Sequence, residues 1–332
     1  MKQLFIAWVK FQRRSESMQP YFGYETEFIS FAFKNRLLRP LEYIFKTCKT
    51  LILFLSQRPQ VIWVQLPPTP ILHLAHLYKL LCYHQVTIIA DCHNATFRPP
   101  WKLSPGLITL LNRCNLVLVH NNWIKDQAIK IGVKYEHLYI LEDAVAIVSH
   151  EISPTQNVFT KPWILTPCSF NRDEPIDKIL AAARLVPEIT FVLTGNANRA
   201  QGIHDLIQKP PNVHLAGFLP KAEFDSLLCT TDAVLGLTTL EGIQLSVANE
   251  AVGAGKPMVI SNTNLLKTLF YQGAVYVDAI DPKSIAQGCQ EALSRKDELT
   301  KEVIKLKELR EKRWLTQASQ LDKMLTTSII EG

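Results

Sequence analysis

The chain has 332 residues, of which 47% are apolar and 20% charged, with a net charge of +6 at pH 7. This suits two ordinary domains and excludes a disordered or fibrous chain, and without a basic–aromatic motif the modest charge argues against nucleic acid as a partner. The seven cysteines are odd in number, dispersed and free of a C-x-x-C pair, so a disulfide frame and a zinc site are disfavoured and a reducing compartment is expected.

In chain order, residues 4–9 read as a first strand. The loop expected over 10–17 carries Arg13 and Arg14, an adjacent pair suited either to a bidentate grip on an acceptor phosphate or to a solvated basic turn. Residues 40–56 read as a helix in which Leu41, Ile44, Phe45, Cys48, Leu51, Ile52 and Leu55 recur at helical spacing beside Lys46 and Lys49. Packing on a sheet is the expected use of that stripe; the alternative is lying on anionic lipid. Alternation follows: strand 61–64, rigid loop 66–70, helix 71–83, strand 86–90, and a loop at Asp91-Cys92-His93-Asn94. Ser104-Pro105 is expected to cap a further helix, before strand 116–119, helix 123–131 and strand 137–141. Strands alternating with helices imply a parallel sheet with right-handed crossovers.

Residues 142–161, with a lone His150, lose periodicity and read as an interdomain linker. The pattern restarts at 163–165, with a helix over 174–185, a strand over 191–194 ending in Gly195-Asn196, a short strand at 213–215 and a helix around Phe224–Leu228. An apolar run at 233–237 reads as a buried strand, followed by a loop and a helix with Ile243, Val247, Ala251 and Ala254 on one face. Gly255 and Pro257 stop that helix, and strand 258–260 succeeds it. A strand at 274–277, a helix from Pro282 and a charged helix over 297–325 complete the chain. The expected architecture is α/β: two Rossmann-like parallel-sheet domains facing across a cleft, 1–150 and 151–300, with a C-terminal helix 301–332 packing back on the first. No signal-peptide pattern and no apolar run of about 20 residues appears, so a cytoplasmic protein is expected, with the inner face of the cell membrane as a surface it rests on.

Glu250-Ala251-Val252-Gly253-Ala254-Gly255-Lys256-Pro257, together with Val64-Gln65-Leu66-Pro67-Pro68-Thr69-Pro70, Asp91-Cys92-His93-Asn94 and Val119-His120-Asn121-Asn122-Trp123, resembles glycosyltransferases of the GT-B, family 4-like type and their lipid-linked β-mannosyltransferase relatives. The Glu-x7-Glu element of that group is matched only in its second half, because Glu241 is one residue too distant and Gly242 occupies the acid's place. The resemblance implies sugar transfer from a GDP- or UDP-linked donor to a lipid-linked or saccharide acceptor bound mainly by the first domain, without a cofactor. It implies that Glu250 hydrogen-bonds the donor ribose, that Glu241 contacts the donor sugar, that Gly195 and Asn196 lie near the base, that Arg172 helps hold the diphosphate and that His93 is directed at the sugar.

Physics supports part of this independently. Backbone N–H groups of Gly242, Ile243, Gln244 and Leu245 lie where a helix begins, a setting that attracts phosphate. Asp91 is a candidate general base or orienter beside His93. No Asp-x-Asp element stands at a strand end, so metal independence is expected. Two rival readings remain, a sugar-nucleotide epimerase on the same fold and a catalytically silent nucleotide-binding subunit. A dehydrogenase is disfavoured because no G-x-G-x-x-G follows the first strand.

Overall fold

The computed structural model describes residues 2–33, 35–81, 85–149 and 159–330. Much of the expected linker, His150 included, and the end of the 71–83 helix lie outside them. The chain forms two compact units, one of residues 1–144 with 312–332 and one of residues 145–311.

The first unit runs β1 (Gln3–Ala7), α1 (Arg13–Phe22), β2 (Glu25–Phe28), α2 (Arg39–Gln57), β3 (Val61–Leu66), α3 (Pro70–Leu81), β4 (Thr87–Cys92), α4 (Leu107–Leu111), β5 (Leu116–Val119), α5 (Asn122–Lys130) and β6 (Leu138–Ile140). Its six parallel strands are ordered β2-β1-β3-β4-β5-β6. β3 and β4 are buried along their whole length because helices cover both faces of a parallel sheet. Leu4, Ile6, Ile62, Val64 and Ile88 pack with Phe54, Ile71, Tyr78, Leu111 and Ile124 on one side. Phe5, Trp63, Ile89 and Leu118 pack with Met18, Phe22, Trp314, Ala318 and Leu321 on the other.

Three expectations are corrected in this unit. The 10–17 segment is not a loop throughout: α1 starts at Arg13, and its buried spacing of Arg14, Ser17 and Met18 was hidden by polar residue types. The helix after Pro105 starts at Leu107, behind Gly106 in the left-handed region, so Pro105 lies before its first turn. Of the apolar stripe of α2 only Leu51 packs against the core of the unit. Only Glu42, Thr50 and Phe54 of that helix are buried, while Leu41, Ile44, Phe45, Ile52 and Leu55 are exposed.

The second unit runs β7 (Trp163–Pro167), α6 (Ile176–Leu185), β8 (Thr190–Thr194), β9 (Val213–Gly217), α7 (Lys221–Thr230), β10 (Ala233–Gly236), α8 (Ser246–Ala254), β11 (Met258–Ser261), α9 (Asn264–Leu269), β12 (Ala274–Val277) and α10 (Pro282–Ser294), and α11 (Lys296–Ile330) contributes to both units. Its parallel order is β12-β11-β10-β7-β8-β9, the 3-2-1-4-5-6 order of a dinucleotide-type Rossmann sheet, with its switch point between β7 and β10. α8 begins at Ser246, so Ile243 belongs to the loop and not to the helical face. Gly255 ends α8 at φ 67°, in the left-handed region that favours glycine. Lys256 turns away from the strand ends, donating Nζ to Thr231 O at 3.0 Å ahead of β10.

Gly253 lies inside α8, where alanine would ordinarily add about 1 kcal/mol of helix stability. A Cβ there would stand 2.3 Å from the carbonyl oxygen of Ala146, so the close backbone approach requires glycine. Gly253→Ala is therefore expected to lower stability by about 1–3 kcal/mol, read as a fall in melting temperature; a rise would mean that the approach relaxes freely.

Candidate functional site

In the first unit a polar cluster occupies the carboxyl ends of the strands. β4 extends further than expected, so Asp91 is part of the strand and not of the loop after it, and its carboxylate is fully buried (0% exposed). Arg14, 5% exposed, reaches it from α1: Nε donates to both Asp91 oxygens at 3.1 Å, Nη1 to Asp143 Oδ1 at 2.6 Å and Nη2 to Leu141 O at 2.8 Å. His120 lies between the same two carboxylates, at 3.7 Å from Asp91 and 3.6 Å from Asp143, and its buried Nε2 has no hydrogen-bond partner. The rings of His93 and His120 meet edge to face with centroids 4.4 Å apart, and the Gln12 side-chain nitrogen donates to His93 Nε2 at 2.9 Å. Because Nε2 accepts in this arrangement, the ring proton of His93 sits on Nδ1.

Electrostatics divides the roles. Burial alone would raise the Asp91 carboxyl, but Arg14, with His120 and His93, holds it well below the usual carboxylate range. Asp143 is likewise held down, by His120 and Arg14 against burial. The two carboxylates overcome burial to raise Arg14. For His93 burial and then His120 push the imidazole down to about 3, so it is neutral at physiological pH. A buried carboxylate so reluctant to take a proton is poorly suited to act as a general base. Arg14 is corrected too, since all three of its donor nitrogens are engaged inside the protein and none grips an acceptor phosphate. Arg13 pairs with Glu16 at 3.6 Å and lies over the Phe11 ring. Asp91, His93 and His120 each offer a ligand atom within 4.8 Å of the others, a metal-type triad. Against that use stands the Arg14 guanidinium on both oxygens of Asp91, which opposes a second cation.

In the second unit the loops at the switch point are tied together. Asp173, between β7 and α6, accepts from Thr238 Oγ1 at 2.8 Å through its side chain and from Thr239 N at 2.8 Å through its carbonyl. This cross-link fixes the loop that leads into α8. Gly195 follows β8 at φ 112°, and a Cβ there would stand 2.0 Å from Cys168 O, so only glycine fits. Asn196 folds onto its own turn, accepting from Asn198 N, and Arg199 Nη2 donates to Asn171 Oδ1 at 2.9 Å, alongside exposed Arg172. Gly242 is buried at φ 78°, Ile243, Gln244 and Leu245 are half-buried, and Glu250 is half-buried on the second turn of α8.

Two carboxylates occupy backbone donors in these loops. Glu174 accepts from Ser169 N and Phe170 N, both at 2.9 Å, while burial pushes its carboxyl up. Glu241 caps a helix. Its oxygens accept from Leu265 N at 3.0 Å and Asn264 N at 3.1 Å at the start of α9, and from Gly242 N at 3.3 Å. Those N–H groups outweigh burial and lower its carboxyl. Glu241, one residue ahead of the position that an x7 spacing from Glu250 marks, thus meets the start of α9, an element absent from the sequence-based expectation. Gln12, His120, Asp143 and Asp173 were also not anticipated as site residues. His120 follows a strand and was visible in the sequence, whereas Asp143 fell in a stretch without periodicity.

No protein-family model matches the chain, and no curated protein matches it. Among solved structures it is similar to HepE of Anabaena in complex with UDP and glucose, with a TM-score of 0.72 at 14% identity over 98% of this chain and 99% of that one. It is similar to the sucrose-phosphate synthase of Thermosynechococcus elongatus, at 0.68 and 12% identity over 100% of both chains. A third similarity is to S. aureus MnaA in a co-structure with UDP, at 0.58 and 13% identity over 98% of each. At such identities the similarity is one of fold. The chain has the GT-B fold, two Rossmann-like domains each built on a six-stranded parallel sheet.

Removing Arg14 leaves two buried carboxylates uncompensated, so Arg14→Ala is expected to cost about 3–5 kcal/mol in chemical denaturation; an unchanged midpoint would mean the cluster is solvated. The pH dependence follows from His93. Its folded-state pKa lies below the ordinary 6.5, so the unfolded chain binds the proton first as pH falls. Stability is full above about 6.5 and declines toward about 3. Between pH 6.5 and 5 the loss from His93 is about 1 kcal/mol, allowing for partial exposure of the ring, and His93→Gln should reduce the measured slope to what remains from His76, which burial also pushes down. The depressed carboxylates contribute nothing in this window, because their stabilisation is lost only as pH falls below about 4.

Proposed function

We propose that the protein is a glycosyltransferase that moves a sugar from a nucleotide-sugar donor, UDP-linked in preference to GDP-linked, onto a glycolipid or polysaccharide-precursor acceptor. The observation that carries this reading is the Asp173 cross-link at the β7/β10 switch point, which sets the 238–245 loop at the carboxyl edge of the sheet, where open α/β sheets take their ligands. The fold similarity to UDP-bound HepE supports the same donor class, and the Glu250–Pro257 element supports a family 4-like enzyme. In this reading the amides of residues 242–245 and the start of α8 hold the diphosphate, helped by Arg172 and Arg199. Glu250 binds the ribose, and the Gly195-Asn196 turn borders the base.

His93 acts as a neutral imidazole that hydrogen-bonds a sugar hydroxyl, since a ring with so low a proton affinity is a poor base at neutral pH. Arg14, Asp91, Asp143 and Gln12 position it. With Asp91 poorly suited as a base, transfer without a protein general base on this strand end is the favoured course. The acceptor belongs to the first unit, with the membrane surface as its setting. A catalytically silent nucleotide-binding subunit is the second reading, favoured by Glu241 and Glu174, which engage the protein's own amides.

The test is thermal denaturation with UDP, GDP and ADP, with and without a divalent cation, followed by product analysis with sugar nucleotides. UDP at about 100 times its dissociation constant should stabilise by about 2.7 kcal/mol, and Glu250→Ala should abolish that shift. Transferred sugar supports the transferase, an epimerised nucleotide supports the epimerase, and binding without product supports the silent subunit. No shift with any nucleotide would remove the donor-site reading.

A further inference from the structure

The outward stripe of α2 takes no part in the core of its unit. Leu41, Ile44, Phe45, Ile52 and Leu55 recur at i, i+3, i+4, i+11 and i+14 and are 50%, 58%, 47%, 65% and 54% exposed. The opposite side of the helix, with Tyr43, Thr50 and Phe54, already supplies the contact with the sheet. The apolar surface continues through Phe31, whose ring lies 4.6 Å from that of Phe45 and 4.8 Å from that of Phe33. Leu80 and Leu81, at the end of α3, the helix packed beside α2, are exposed as well.

The charges on this surface have one sign. Arg39 and Arg58 are exposed at the two ends of the helix and Lys49 is exposed between them, while the single acid of α2, Glu42, is buried and accepts from Phe33 N at 2.6 Å. An apolar stripe flanked by cations suits anionic lipid: the side chains enter the boundary between headgroups and acyl chains, and the cations meet the headgroups. A second copy fits less well, because a twofold interface would set these cations against their own copies. Among the described residues no helix is long and apolar enough to cross a membrane, so α2 would lie in the plane of the surface.

We propose that α2 is a membrane-docking helix that seats the first unit on an anionic lipid surface through Leu41, Ile44, Phe45, Ile52 and Leu55. The docking stands on this geometry; that a lipid-linked acceptor is met there rests on the transferase reading.

The experiment is co-sedimentation of the full chain with phosphatidylcholine vesicles and with phosphatidylcholine–phosphatidylglycerol vesicles, at low and high salt. The mixed vesicles should retain the protein, less so as salt rises, and the double variant Ile44→Asp/Ile52→Asp should bind them about tenfold or more weakly. The variant should keep the wild-type melting temperature, because both side chains are already in solvent. Failure of the wild type to bind either vesicle, or equal binding by the variant, overturns the proposal. So does a dimer in sedimentation velocity that the variant dissociates, since a second copy would then cover the face. The nucleotide-induced thermal shift, read on the same samples, reports separately on the transferase reading.

Discussion

A single guanidinium organises the strand ends of the first unit. Arg14 satisfies Asp91, Asp143 and the carbonyl of Leu141 at once, and with His120 and His93 beside it two carboxylates remain ionised inside the protein. That grouping connects β4, the segment after β6 and α1 into one structure. It also determines the neighbours' chemistry: with Asp91 neutralised and buried, His120 lies between two anions beyond hydrogen-bonding distance, and His93, against His120, is driven neutral. The strand end thereby presents an uncharged hydrogen-bonding imidazole in place of a base or an exposed cation.

The second unit solves a different problem with the same means. Its switch-point loops must be rigid while holding backbone amides toward the strand ends. Asp173 joins the loops by accepting from Thr238 and Thr239, Gly195 allows the β8 turn to close against Cys168, and Glu241 caps α9. Two carboxylates of these loops, Glu174 and Glu241, accept from the protein's own backbone amides.

The alternation of the two sheets was legible in the sequence because parallel strands buried on both faces are continuous apolar runs, as in 61–66 and 233–236. α1 was not, since its inward positions include Arg14, Ser15 and Ser17, polar types whose burial depends on partners distant in sequence. α9 was too short to show a period, and without it the displacement of Glu241 had no visible explanation. The stripe of α2 was read correctly as one helical face and assigned to the wrong surroundings. Periodicity reveals that a face is apolar, but not that Tyr43 and Phe54 on the other side already supply the contact with the sheet.

The claim on which the site chemistry depends is that the Arg14 cluster holds His93 as a neutral imidazole protonated on Nδ1. Nitrogen-15 NMR of the histidine rings through a pH titration measures both properties directly. The account predicts that His93 shows the Nδ1–H tautomer at pH 7 and stays neutral at pH 5, when solvent-exposed histidines have taken up their protons. A midpoint near 6.5, or a ring protonated on Nε2, would contradict it.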